Sequence, residues 1–197
     1  VQSIHSSFLE NGADAVETNT FGANSLVLAE FGLEGDTRKL NQEAAEIARA
    51  ACVAAGGPRY VLGSIGPGTR LLTLGQTDWS AMHASYRRQI EGLLDGGVDA
   101  LLVETCQDPL QIRCAVHAAL HALEARGMGP EQLPIMVSVT VETTGTLLVG
   151  SEISAVASTL RRLPVASLGL NCATGPAEMT PHVEWLAKHW DRPISVV

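Results

Sequence analysis

Five places in the chain gather side chains able to bind or activate a small polar molecule, and each stands at the end of a short apolar run. Ala13–Glu17 leads into Glu17-Thr18-Asn19-Thr20. Tyr60–Ser64 ends on Ser64, with Gly66-Pro67-Gly68-Thr69 beyond it. Ala100–Glu104 ends in Glu104-Thr105, Ile135–Thr140 carries Ser138 and Thr140, and Ser167–Asn171 ends on Asn171-Cys172. Two acids and a thiol among hydroxyls and amides form a polar floor suited to a ligand with an amine, a carboxylate or a metal. Bland readings compete with this one. Thr18, Thr105 and Thr140 are expected only to bond loop backbone, and Glu17 and Glu104 could each pair with a basic residue. Glu104 follows Leu101-Leu102-Val103 directly, so its carboxylate would be partly desolvated and would need a cation; a substrate ammonium is one candidate. A single cysteine such as Cys172 is more often a small buried hydrophobe than a ligand. Against that, Ala173-Thr174-Gly175-Pro176 reads as a turn into a helix start, where backbone N–H groups and the helix dipole favour the thiolate.

The elements that must position these residues alternate regularly. The six apolar runs, the last being Ile194–Val197, are short and bounded by turn residues, and helix-period segments follow the first five. Such runs fit strands of a parallel sheet covered on both faces. Leu40, Ala44, Ile47, Ala48, Ala51 and Ala55 are expected to form the buried stripe of one helix. Asn24 can cap a helix over Ser25–Phe31 that Gly32 ends. Pro109 suits a first helical position, and Thr180-Pro181 reads as the cap and first residue of another helix. Successive βαβ units of this kind, with strands spaced by roughly 30 to 45 residues, allow either a barrel or a doubly wound sheet. No linker or repeat divides residues 1–197, which are read as one domain.

Composition narrows the function. With 46% hydrophobic and only 4% aromatic residues, the core must be built from Val, Ile, Leu and Ala. A net charge of −8 without basic runs makes nucleic acid and anionic membranes poor partners. No apolar run reaches the roughly 18 residues of a membrane span. Cys52, Cys106, Cys114 and Cys172 do not read as a disulfide framework, so a reducing, cytoplasmic setting is expected. Both ends read as cut: the chain begins inside an amphipathic helix (Ile4, Phe8, Leu9) and stops on a strand. Two rival sites are weak. Gly63-Ser-Ile-Gly-Pro-Gly68-Thr69 places Thr69 where a phosphate-binding loop needs Lys, and reads as a tight loop below the pocket. Cys114, His117 and His121 share one side of a helix opposite an apolar side of Ile112, Val116, Ala119, Leu120 and Leu123, so the histidines are expected to face solvent.

Gly169-Leu-Asn-Cys-Ala-Thr-Gly-Pro176 resembles the sixth-strand signature of the homocysteine S-methyltransferase family. Gly12-Ala-Asp-Ala-Val-Glu-Thr-Asn-Thr-Phe-Gly-Ala-Asn24 is similar to the family's second-strand motif, Gly63–Gly68 to its third-strand loop, Gly97–Thr105 to its fourth, and Pro134–Thr140 with Thr144-Gly145-Thr146 to its fifth. Within the family the wording is closest to the homocysteine module of the cobalamin-dependent members. The resemblance implies a (β/α)8 TIM-type barrel of which roughly strands 2 to 7 are present. It implies that Cys172 is one of three zinc thiolates and that Glu104 binds the homocysteine amino group, helped by groups near Asn19, Ser64 and Asn171, with Glu17 also in the pocket. The family's Asp-Gly motif of the first strand and Gly-Gly-Cys-Cys motif of the last are not in these residues. The 197 residues alone are therefore expected to bind zinc weakly and not to catalyse. In the complete protein a zinc-activated homocysteine thiolate would take a methyl group from methylcobalamin held in other domains, or from S-methylmethionine, S-adenosylmethionine or betaine in the cobalamin-independent members. From a different class, the chain could be a truncated, non-catalytic barrel scaffold.

Overall fold

Six parallel strands follow one another across a single sheet in chain order: β1 (Ala15–Glu17), β2 (Tyr60–Ile65), β3 (Ala100–Cys106), β4 (Ile135–Val139), β5 (Ser167–Leu170) and β6 (Ile194–Val196). A doubly wound sheet reverses its strand order at a switch point. Here the order never reverses, so of the two architectures open to the sequence this is the barrel type: an incomplete TIM-type barrel, with β1 and β6 as unpaired edges. The computed structural model describes residues 1–197. All six apolar runs form strands, with ends that differ from those of the runs by one or two residues at most.

Seven helices form the outer layer: α1 (Gln2–Glu10), α2 (Ser25–Leu28), α3 (Thr37–Ala55), α4 (Trp79–Asp95), α5 (Pro109–Glu124), α6 (Ile153–Leu160) and α7 (Pro176–His189). Side chains alternate across each strand. Val61, Ile65, Leu101, Val103, Val137 and Leu168 are buried in one core with apolar residues of the helices. The alternate residues, among them Leu62, Leu102, Glu104, Met136 and Ser138, line the inside of the curl. That alternation is why polar residues at the upper strand ends converge. No helix is long and apolar enough to cross a membrane.

The helix ends follow local chemistry. Asn24 Oδ1 accepts from Val27 N at 3.1 Å, a 3-10 turn over Ala29–Phe31 continues α2, and Gly32 ends it at φ 70°. Asp108 caps α5 ahead of Pro109. Two expectations need correction. The α7 helix begins at Pro176, not Pro181: Gly175 is the cap, its N–H bonds to Glu178 Oε2, and Pro181 lies inside the helix. Pro176 already supplies the pre-set φ of a first position, and Thr180 Oγ1 donates to the Pro176 carbonyl. In α3 the buried residues are Thr37, Asn41, Ala45, Ala48, Ala51 and Cys52, whereas Leu40 and Ile47 are exposed. The small face turns inward because α4 presents glycines to it. A Cβ on Gly92 would lie 2.3 Å from the Arg38 carbonyl oxygen, and one on Gly96 would lie 2.5 Å from Ala45 Cβ. We expect Gly92→Val to force α3 and α4 apart and cost at least about 2 kcal/mol. An unchanged or raised thermal midpoint would show that the close approach is not needed.

Candidate active site at the strand ends

Glu17, Glu104, Asn171 and Cys172 line one cavity of about 440 Å³ inside the curl, walled below by Leu62, Leu102 and Met136. Four residues singled out in the sequence thus come from three strands to one space. Ser64, buried at the end of β2, donates to Glu104 Oε1 at 2.5 Å. Asn19 is not brought to this cavity; it lines a neighbouring opening with His5 and Phe8, and Glu17 lies between the two.

The β3 strand is irregular where its carboxylate is presented. Its register with β4 shifts between Val103 and Cys106, and Thr105 between them has φ 57°. A β-branched residue at positive φ is a real outlier, and such bulges re-aim side chains. Cys172 and Ala173 also have positive φ, 63° and 56°. All three non-glycine residues of the chain in this conformation belong to this site, as strained backbone commonly does. Cys172 is exposed at the rim, ahead of the turn in which Thr174 N bonds to the Cys172 carbonyl at 2.7 Å.

Thr18 and Thr140 bond backbone as expected, whereas the Thr105 hydroxyl does not: it accepts from the Asn171 side-chain amide at 2.7 Å. Thr18 Oγ1 accepts from Ser64 N at 3.0 Å, Thr20 Oγ1 donates to the Ser64 carbonyl at 2.7 Å, and Thr140 Oγ1 donates to the Asn171 carbonyl at 3.0 Å. The carboxylates differ. All the ion pairs of the chain join other residues, on the helices and at the base of the sheet, and neither Glu17 nor Glu104 has a basic partner. Desolvation, and then the negative charge of Glu104, push the Glu17 carboxyl above its ordinary range. A carboxyl that holds its proton more tightly when folded favours folding at low pH and loses that contribution as pH rises through its raised value. Glu17→Gln removes the effect, so the melting temperature of the variant minus that of the wild type should grow as pH is raised from 4 to 7 in the absence of ligand. A difference that stays flat would contradict the charge crowding.

The other cysteines take no part. Cys106 is fully buried with its thiol pushed up by desolvation, then by Glu104 and Asp108. Burial raises the Cys114 thiol to about 12, and it donates to the Trp79 carbonyl. Cys114 therefore belongs to the apolar side of α5 and not with its histidines, a correction to the grouping read from the sequence. His121 instead meets His83, whose Nε2 lies 3.0 Å from His121 Nδ1, a contact between two helices that the spacing within one helix could not show. No group of three or more His, Cys, Asp or Glu side chains is placed to hold a metal ion. The donor chemistry at the cavity is one rim thiol with an amide N–H on its sulfur, which fits one ligand of a thiolate site and not a whole one.

The loop after β2 starts no helix at Thr69; the next helix begins ten residues on, at Trp79. A phosphate-binding loop needs that helix N-terminus. Sequence reasoning missed what fixes this loop. Asp108, fully buried, accepts from Thr73 N at 2.9 Å, Thr73 Oγ1 at 2.7 Å and Leu110 N at 2.9 Å. Gln111 donates to the Pro67 and Arg70 carbonyls. An Asp before Pro at a helix start was visible, but its second partner lies 35 residues away.

A one-way parallel barrel with its polar groups gathered at the C-terminal strand ends is the enzyme-bearing arrangement of TIM-type folds. The comparisons make this specific. Residues 1–197 match the homocysteine S-methyltransferase family, and the chain belongs to it. It is 47% identical over 200 residues to methionine synthase of Mycobacterium tuberculosis and equally to that of Mycobacterium leprae, covering 100% of this chain and 16% of each relative. The chain thus spans about a sixth of the length of those relatives. The fold is similar to the crystal structure of the homocysteine methyltransferase MmuM from Escherichia coli in its metallated form, with TM-score 0.80 and 26% identity over 99% of this chain and 70% of that one. For the oxidized form the TM-score is 0.79 at 25% identity.

Proposed function

We propose that this chain forms the homocysteine-binding part of a methionine synthase, and that the cavity between Glu104 and Cys172 is where homocysteine lies. The observation that carries the reading is the pair of carboxylates without a cation partner on one side of a cavity whose rim holds an exposed thiol. Glu104, held by Ser64, anchors the substrate ammonium, and Glu17 adds negative charge beside it. Leu62, Leu102 and Met136 offer an apolar wall to the carbon chain, and the substrate sulfur points toward Cys172. Asn19 borders the pocket from the adjoining opening.

Cys172 serves as one thiolate of a zinc site, with the remaining thiolates contributed from outside these residues. Zinc, when bound, supplies Lewis-acid stabilisation of the substrate thiolate at neutral pH. The reaction is a displacement: homocysteine loses its S–H proton, its sulfur forms a bond to the methyl carbon, and the bond from that carbon to the donor breaks with its electron pair. The chain's own residues bind and orient the amino acid for this step. Because they supply a single thiolate, catalysis needs the rest of the protein. We assign the donor as methylcobalamin held elsewhere in the protein: identity is higher to methionine synthases, which extend far beyond this segment, than to MmuM. S-methylmethionine, S-adenosylmethionine or betaine as donor is the competing assignment, decided by which of them the full-length protein consumes. Four free cysteines suit a reducing, cytoplasmic compartment.

The test is a pair of titrations on full-length, zinc-loaded protein. Glu104→Gln should weaken homocysteine about 10- to 100-fold, as expected for removing the charge from a partly buried ion pair. It should leave 4-mercaptobutanoate, which lacks the amine, bound as by wild type. Equal losses for both ligands, or none for homocysteine, would remove Glu104 from the ammonium role.

A further inference from the structure

Asn171 stands at the end of β5, buried, and its side chain is used completely within the protein. Oδ1 accepts from Thr105 N at 3.1 Å and from Ser138 Oγ at 2.7 Å. Nδ2 donates to Thr105 Oγ1 at 2.7 Å and to Cys172 Sγ at 3.3 Å. A primary amide has two acceptor positions and two N–H donors, so none is left for a ligand. Its backbone is also engaged, since the carbonyl accepts from Thr140 Oγ1 and the N–H bonds to the Val139 carbonyl. The residues it grips are informative. Thr105 is the positive-φ residue of the β3 irregularity, one position after Glu104, and Cys172 is the positive-φ residue at the rim. Neither conformation is locally favoured, and each persists only where its surroundings determine it.

We infer that Asn171 is a positioning residue that ties the carboxylate half of the site to the thiol half, rather than a group that touches substrate. By clasping Thr105 through both its N–H and its hydroxyl, it fixes the bulge that aims Glu104 into the cavity. By donating to the Cys172 sulfur at 3.3 Å, it fixes the orientation of the thiol. Ser138, bonded to the same oxygen, keeps β4 in line between them. One amide thereby sets the separation between the group that binds the ammonium and the group on the sulfur side, the quantity on which alignment of a small amino-acid thiol depends. The inference rests on the proposed roles of Glu104 and Cys172.

Full-length protein carrying Asn171→Ala, Thr105→Val or Cys172→Ser decides the matter, with zinc affinity measured by chelator competition and homocysteine affinity on zinc-saturated protein. Asn171→Ala should weaken zinc and homocysteine each by about tenfold or more, the usual effect of losing a partner that orients a ligand. Thr105→Val removes the bond from Asn171 Nδ2 on the Glu104 side and, on the Cys172 side, only a 3.9 Å contact at the limit of a sulfur hydrogen bond. It should weaken homocysteine several-fold and leave zinc affinity as in wild type. A purely structural Asn171 would instead lower the melting temperature and leave both affinities of the folded protein unmoved, which overturns the inference. If Asn171→Ala does not fold, Thr105→Val decides: unaltered homocysteine binding overturns it, and weakened homocysteine binding with intact zinc affinity supports it. Full zinc affinity in Cys172→Ser would strike the underlying role of Cys172, whereas an inert Asn171→Ala beside a zinc-free Cys172→Ser strikes this inference alone.

Discussion

Replacing Cys172 with serine in the full-length protein is expected to remove zinc and methyl transfer together. Serine keeps the shape and the positive-φ backbone but replaces a soft, readily ionised sulfur with a hydroxyl that stays protonated at neutral pH. Zinc takes deprotonated thiolates, and its catalytic sites use three protein ligands. Structural sites with four ligands bind by about 10–16 kcal/mol, so one lost thiolate costs on the order of 10²- to 10³-fold in affinity. No other thiol of the chain can move in. Cys106 and Cys114 are buried in the core with their thiols pushed up, and Cys52 is buried against the Tyr60 carbonyl at the lower end of β2. The measurement is metal content of purified protein beside turnover at saturating homocysteine. Stoichiometric zinc in Cys172→Ser would remove Cys172 from the metal site.

Asp108→Ala is expected to be the most damaging single change away from the cavity. The carboxylate is fully buried and answers three donors: two from Thr73 in the β2–α4 loop and one from the first turn of α5. Alanine deletes a helix cap, worth about 1 kcal/mol, and strips the partner from two half-buried Thr73 donors, at about 1–3 kcal/mol in all where water does not reach them. A net loss of about 3 kcal/mol lowers the thermal midpoint of a domain this size by about 6–12 °C. Because the loop it holds follows Ser64, the partner of Glu104, homocysteine binding should weaken as well. A midpoint within 2 °C of wild type, by the same roughly linear relation, would mean that the loop is held by Gln111 alone.

Much of the architecture was legible because parallel strands buried on their helix side leave short Val, Leu and Ile runs with polar ends. Ala100–Glu104 and Ser167–Asn171 announced both a strand and what it presents. Local rules also located the cap at Asn24 and the first helical position at Pro109. Choosing between barrel and doubly wound sheet from the residues alone was beyond them, since strand order is a long-range property; the motif resemblance and then the observed order decided it. The α3 face was misread because hydrophobicity favoured Leu40 and Ile47, while packing against Gly92 and Gly96 favours the smallest side chains. At the site, residue types at strand ends indicated the participants but not the bonds among them. Nothing in Thr105 or Asn171 taken singly shows that an amide two strands away secures the bulge beside Glu104. The His83–His121 contact and the Thr73–Asp108 bonds escaped notice for the same reason: each joins elements far apart in the chain.

The proposed site places homocysteine between Glu104 and Cys172. The structure of the full-length protein with homocysteine bound tests this most directly. It should show the ammonium nitrogen about 3 Å from the Glu104 carboxylate, the carbon chain along Leu62 and Met136, and the sulfur on the Cys172 side. Homocysteine bound outside this cavity, or lying with its sulfur toward Glu104 and its ammonium toward Cys172, would contradict it.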